Sequence, residues 1–166
     1  MPEQSEHRFE DAEADALLFQ ELQKKIQEAP GPHPVGSVQV QNGIVTVFLR
    51  GLIIDEGEIQ NLGSILFEIA DHPMVEGVVI DCANVRYLSS AAFGKHITTH
   101  QKLRARTKPR LGMSNTQVFD ENLAITQLNR AFHTGGDHAY VMEKLLRERQ
   151  KIATAMQGKA KEAETP

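Results

Sequence analysis

The chain has no tryptophan, two tyrosines and a single cysteine in 166 residues, and the last of these scarcities excludes the most. With Cys82 alone there is neither an internal disulfide nor a thiolate metal cluster. Cys82 also lies inside the apolar run at 77–82, the setting of a buried, inert thiol. No charge of one sign dominates: 18 Lys and Arg stand against 22 Asp and Glu, a net charge of −4, so no basic field points to nucleic acid. No apolar run approaches the roughly 18 residues of a membrane span, and the first residues are acidic, unlike a secretory signal. The expectation is a soluble, cytoplasmic protein without direct membrane insertion, built as one domain plus accessory helices.

Signatures of catalysis are equally scarce. Gly135-Gly136 is too short and too late in the chain to cradle a phosphate, and no strand–glycine–helix fingerprint occurs elsewhere. Asp55, Glu56 and Glu58 cluster where a helix begins and suit its dipole, but no nucleophile or base accompanies them. The sequence therefore predicts no enzyme and no cofactor.

What is present is a chain in three parts. Residues 1–34 comprise a helix with Leu18, Phe19, Leu22 and Ile26 at three- and four-residue spacing, then Ala29-Pro30-Gly31-Pro32-His33-Pro34, a stiff linker that ends it. This helix is left to dock on the domain, to pair with another chain, or to do neither. The prolines are expected to decouple it, so that the domain folds without residues 1–34. Residues 35–140 form the globular part. Asn42-Gly43 between two strand-like runs predicts a type I′ hairpin. Leu62, Ile65, Leu66 and Ile69 give an amphipathic helix, 77–82 a buried strand, and 109–113 a short strand. A helix over about 116–123 follows, and Thr134-Gly135-Gly136 breaks the chain before Asp137, a good helix N-cap. Residues 141–166 are a helical extension and polar tail, with Met142, Leu145, Leu146, Ile152 and Met156 on one stripe. The alternation predicts an α/β fold, a small mixed sheet of four to five strands with helices mainly on one face and helical extensions at both termini.

The most informative stretch is 77–94. A buried strand runs into a polar turn, and Ser89-Ser90 opens a helix followed at once by Ala91-Ala92-Phe93-Gly94. Backbone N–H groups are unpaired at such a helix start, and the dipole there favours negative charge. Small residues beside the hydroxyls allow another protein to approach closely. The plainer reading is a helix cap, worth about 1 kcal/mol, with small residues that let the helix sit close on its sheet.

The run Tyr87-Leu88-Ser89-Ser90-Ala91-Ala92-Phe93-Gly94 resembles the sulfate-transporter and anti-sigma-factor-antagonist (STAS) family, as do Leu111-Gly112-Met113-Ser114-Asn115 and Ile125-Thr126-Gln127-Leu128-Asn129-Arg130-Ala131-Phe132. The likeness spans roughly Val38 to Tyr140. It implies an anti-sigma-factor antagonist that binds an anti-sigma factor with serine kinase activity and is released when phosphorylated. Ser90 matches the family's phosphoacceptor. The family's preceding Asp is Ser89 here, which makes Ser89 the alternative acceptor, and the family's Gly-Glu-Leu-Asp loop reads Gly51-Leu52-Ile53-Ile54-Asp55. The implied partner surface comprises Arg86, Ser89, Ser90, Ala91, Phe93 and Lys95, with Ser114 and Asn115 on the next strand end. Alternatives are a scaffold subunit of a signalling assembly or a cytoplasmic accessory subunit of a membrane transporter.

Remaining features read more plainly. His96 and His100 stand four apart on a helix, a zinc-compatible spacing, but share a stripe with Phe93 and Leu103 and border the core. His133 and His138 are expected to face solvent. Lys102, Arg104, Arg106, Lys108 and Arg110 form a basic run, expected as a solvated edge or a site for an acidic partner. The terminal helices outlast the minimal domain, and homo-oligomer formation through them is a further expectation.

Overall fold

Asn42 and Gly43 take φ of 53° and 76°, the left-handed pair that a type I′ turn requires, and they close the hairpin between β1 (Val35–Gln41) and β2 (Ile44–Ile53). The computed structural model describes the backbone of residues 2–164 and the side chains of residues 10–162. After the hairpin come α2 (Glu56–Asp71), β3 (Gly77–Leu88), α3 (Ser90–Ala105), β4 (Gly112–Ser114), a 3-10 turn (Gln117–Phe119), α4 (Asp120–Ile125), α5 (Leu128–Ala131), β5 (His133–Gly135) and α6 (His138–Glu164), with α1 (Pro2–Gln27) preceding them all. The sheet order follows the chain, β1-β2-β3-β4-β5. Only the β1–β2 pair is antiparallel; the other pairs are parallel. This is the expected mixed α/β sheet.

Alternation along the strands divides the core. Val45, Val47, Leu49, Val78, Ile80 and Cys82 face the larger side with α1, α2, α3 and α4, whereas Ile44 and Val79 face the other side, where Val141, Met142 and Leu145 of α6 cover them. Close approach of α6 requires Gly112: a Cβ there would stand 2.8 Å from side-chain atoms of Leu145 and Val141. Asp55 caps α2 by accepting from Glu58 N at 2.9 Å, and Asp137 accepts from Ala139 N at 2.8 Å at the start of α6.

Three expectations change. Helix α1 is not decoupled. Leu18 and Leu22 are 1% and 2% exposed within the main core, and the Asp15 carboxylate accepts from Asn42 N and Gly43 N at 2.7 and 2.8 Å. The prolines redirect the chain rather than release it, because Pro34 O accepts from Arg50 N and Pro32 O from Asn61 Nδ2. Phe19, placed on the buried stripe by spacing, is exposed instead. Secondly, β3 does not stop at Cys82. Two register shifts opposite β2 carry it through the polar residues to Leu88. Thirdly, the break before Asp137 contains β5, whose three residues pair with β4.

Candidate functional site

Strand β3 delivers Leu88 into the core, and the chain turns at once into α3. Ser89 N donates to Ile53 O at 3.1 Å, which fixes the turn to the end of β2. Ser89 is the N-cap, extended at φ −70° and ψ 163°, and its Oγ accepts from Ala92 N at 3.2 Å. One residue on, Ser90 is exposed. Among the described residues its hydroxyl has no hydrogen-bond partner, and it stands in the first turn of a 16-residue helix, where the dipole is positive. The cap reading of Ser89 and the exposed-hydroxyl reading of Ser90 therefore hold together.

Beside Ser90 lies an open groove of about 490 Å³, lined by Tyr87, Leu88, Phe93, Ile97, Asn122, Ile125, Thr126 and Leu128. Tyr87 is 52% exposed and Ile125 74%. Phe93 closes the floor edge-to-face against Phe119, with ring centroids 6.2 Å apart. Ala91 is exposed and Ala92 buried, so the helix tip carries little bulk. The arrangement places apolar surface next to a free hydroxyl.

No known protein-family model matches this sequence, and no curated protein matches it. Solved structures do. The phosphorylated form of the Bacillus cell fate determinant SpoIIAA aligns over 64% of this chain and 98% of its own, with a TM-score of 0.52 and 13% identity. The anti-sigma factor antagonist SpoIIAA in its unphosphorylated form aligns over 56% and 98%, with a TM-score of 0.42 and 15% identity. The fold is STAS-like.

Within this STAS-like domain the eight residues expected on the partner surface separate. Ser89, Ser90, Ala91 and Phe93 gather at the α3 tip. Lys95 turns away along α2, its Nζ 5.9 Å from the Phe67 ring centroid. Arg86 is exposed but lines a second groove with Arg50, His33 and the linker prolines. Ser114 is a correction: it is fully buried and donates to Asp81 Oδ2 at 2.6 Å, so it offers no surface. Asn115 is half-buried and gives its Nδ2 to the same oxygen at 2.7 Å, while Asp81 Oδ1 accepts from Ala83 N. Burying a carboxylate demands such partners. Sequence reasoning missed Tyr87 and Ile125 as surface residues, although both lie inside the stretches that carry the STAS likeness.

The histidines and the basic run take structural positions. His96 is fully buried, and among the described residues both its ring nitrogens are unpartnered; burial pulls its pKa down to about 4. His100 Nδ1 accepts from Leu111 N at 3.2 Å, and its ring packs on Phe132. Among the described residues no group of three or more His, Cys, Asp or Glu is placed to hold a metal. Neither His133 nor His138 faces solvent as expected: His133 is paired with Glu148, and His138 Nε2 lies 2.9 Å from Thr46 Oγ1. Burial lowers the His133 pKa, with Glu148 partly offsetting it. Burial also raises that of Glu148, but hydrogen bonds from His133 and Arg110 outweigh it and hold the carboxyl below its ordinary range. Arg104 Nη1 reaches Glu148 at 2.8 Å.

The rest of the basic run secures the C-terminal end of α2. Lys108 Nζ donates to Ala70 O and His72 O, Arg106 to Asp71 O, and Lys102 to the Asp71 carboxylate. Burial lowers the Lys108 pKa to about 8, which leaves it protonated at neutral pH. Cations here answer the partial negative charge of a helix end. Cys82 is buried, and burial with the Asp81 charge pushes its thiol up to about 12, far from a reactive thiolate. Among the described residues no helix is long and apolar enough to cross a membrane.

Proposed function

We propose that this chain is a non-enzymatic regulatory module whose α3 tip docks a protein partner, and that phosphorylation of Ser90 releases that partner. By the likeness of residues 87–94 to the STAS motif, the partner is an anti-sigma factor with serine kinase activity. The observation that carries the reading is the exposed, unpartnered Ser90 hydroxyl in the first turn of α3, beside the apolar groove.

The physics of release is direct. A phosphate adds about −1.5 to −2 charges at neutral pH. The free N–H groups of the first turn and the helix dipole tolerate that charge, so the domain stays folded. A partner seated on Tyr87, Phe93 and Ile125 would instead meet a desolvated dianion. Ser89 is the weaker acceptor, because it is half-buried and its oxygen already serves the cap.

Phosphosite mapping of the protein recovered from its native host tests the assignment. Phosphate on Ser90 is expected in part of the population. Phosphate confined to Ser89, or absent from both serines in every growth condition, overturns it.

A further inference from the structure

Most arginines of this chain are used internally. Arg104, Arg110, Arg147 and Arg149 form ion pairs, and Arg106 bonds a carbonyl at the end of α2. Arg50 in β2 and Arg86 in β3 are different. Both are exposed, and among the described residues neither guanidinium has a hydrogen-bond or ion-pair partner. In a chain of net charge −4, both line the same open groove of about 1010 Å³, walled on one side by Pro32 and Pro34 of the linker.

Strand register explains why they converge. Gly51 pairs with Val85 and Leu52 with Tyr87, so Arg86 is the extra residue of a bulge, and a bulge re-aims the side chain it carries. Arg50 pairs with Asn84, two positions before Arg86, on a strand roughly 5 Å away. A Cβ on Gly51 would meet nothing within 4 Å, so the floor beside Arg50 is clear. The linker wall is held in place: Arg50 N donates to Pro34 O at 3.0 Å, and Val35 N to His33 Nδ1 at 3.3 Å. That second bond leaves Nε2 as the protonated nitrogen of neutral His33, a further donor in the lining. Among the described residues of the lining the only carboxylate is that of Glu58, which is half-buried and pairs with neither arginine.

We propose that this groove binds an acidic segment of another protein, its carboxylates held by Arg50 and Arg86. A guanidinium meets a carboxylate in a two-pronged pair, shorter and stronger than a neutral hydrogen bond. An extended acidic chain suits the site better than a small anion. The groove is open, so a lone ion stays largely in water, whereas a chain adds contacts along the prolines and Leu52, which is 55% exposed. None of the residues lining this groove lines the one beside Ser90, and the inference does not depend on phosphorylation there.

Titration of the isotope-labelled full chain with a blocked hexaglutamate peptide, read by backbone amide NMR shifts, tests it. Saturable shifts are expected at 50–52 and 84–86, with affinity falling as salt screens the charges. Arg50→Gln with Arg86→Gln is expected to weaken binding tenfold or more while amides elsewhere keep their positions. Arg50→Lys with Arg86→Lys keeps the charge but not the planar fork, and is expected to weaken it a few-fold. Inorganic phosphate is expected to shift the same amides only at much higher concentration. The absence of saturable shifts overturns the proposal, as do shifts centred on the basic run 102–110 or binding indifferent to the glutamine substitutions. Phosphate binding as tight as that of the peptide also overturns it, since the groove would then be a site for a free anion.

Discussion

Ser89 commits its oxygen to the Ala92 amide, whereas Ser90, one position on, leaves its hydroxyl to solvent. The two are separable by mutation. Ser89→Ala is expected to cost about 1 kcal/mol in denaturant unfolding, whereas Ser90→Ala stays within about 0.5 kcal/mol, as surface changes do. Ser89→Asp keeps the cap, and equal losses at both positions would contradict the assignment. His96 makes a second prediction at this scale. Its folded pKa of about 4 lies below the unfolded value of 6.5, so the unfolded chain binds the proton more readily. Its contribution is therefore complete above pH 6.5 and falls away as pH drops towards 4, by up to about 3 kcal/mol. His96→Leu removes two orphaned nitrogens and is expected to flatten that part of the stability–pH curve and to raise stability at pH 5 by about 1 kcal/mol or more. Parallel curves for the two proteins would refute the role of burial at His96.

At the scale of elements, α1 and α6 decide how much of the chain is structural. Leu18→Ala or Leu22→Ala is expected to cost about 2–5 kcal/mol, and removal of residues 1–34 to lower the melting temperature steeply; an unchanged melting temperature would return α1 to the status of an appendage. Glu148→Gln is expected to cost about 1–3 kcal/mol, because the charge that receives Arg104, Arg110 and His133 is lost where α6 meets the sheet edge. A neutral result in urea melts would show those bonds to be replaceable by water. Elements whose signal is local were legible in the sequence: the Asn42-Gly43 hairpin, the helix start at Asp55, Glu56 and Glu58, the cap at Asp137, and the strand–serine–helix passage of the site. What escaped was long-range. The α1 stripe announces a face but not which surface covers it, so the docking of Leu18 and Leu22 and the exposure of Phe19 were not readable. Strand β5 has three residues and exists because β4 lies beside it. Ser114 shares a motif with Asn115, but its depth depends on Asp81, thirty-three positions earlier.

For the whole molecule, the parallel register of β2 and β3 sets the α3 tip at one end and the Asn42-Gly43 turn at the other. The docking proposed at Ser90 thus involves the end of the sheet remote from that turn. The proposed release at the first end rests on charge, since a helix start accepts a phosphate that an apolar seam rejects. Calorimetric titration of the proposed kinase partner into Ser90→Ala and Ser90→Asp proteins measures this most directly. The Ala variant is expected to retain the affinity of the unmodified chain, and the Asp variant to bind tenfold or more weakly, a loss of about 1.4 kcal/mol. Equal affinities for the two variants would contradict a charge-controlled release at this position.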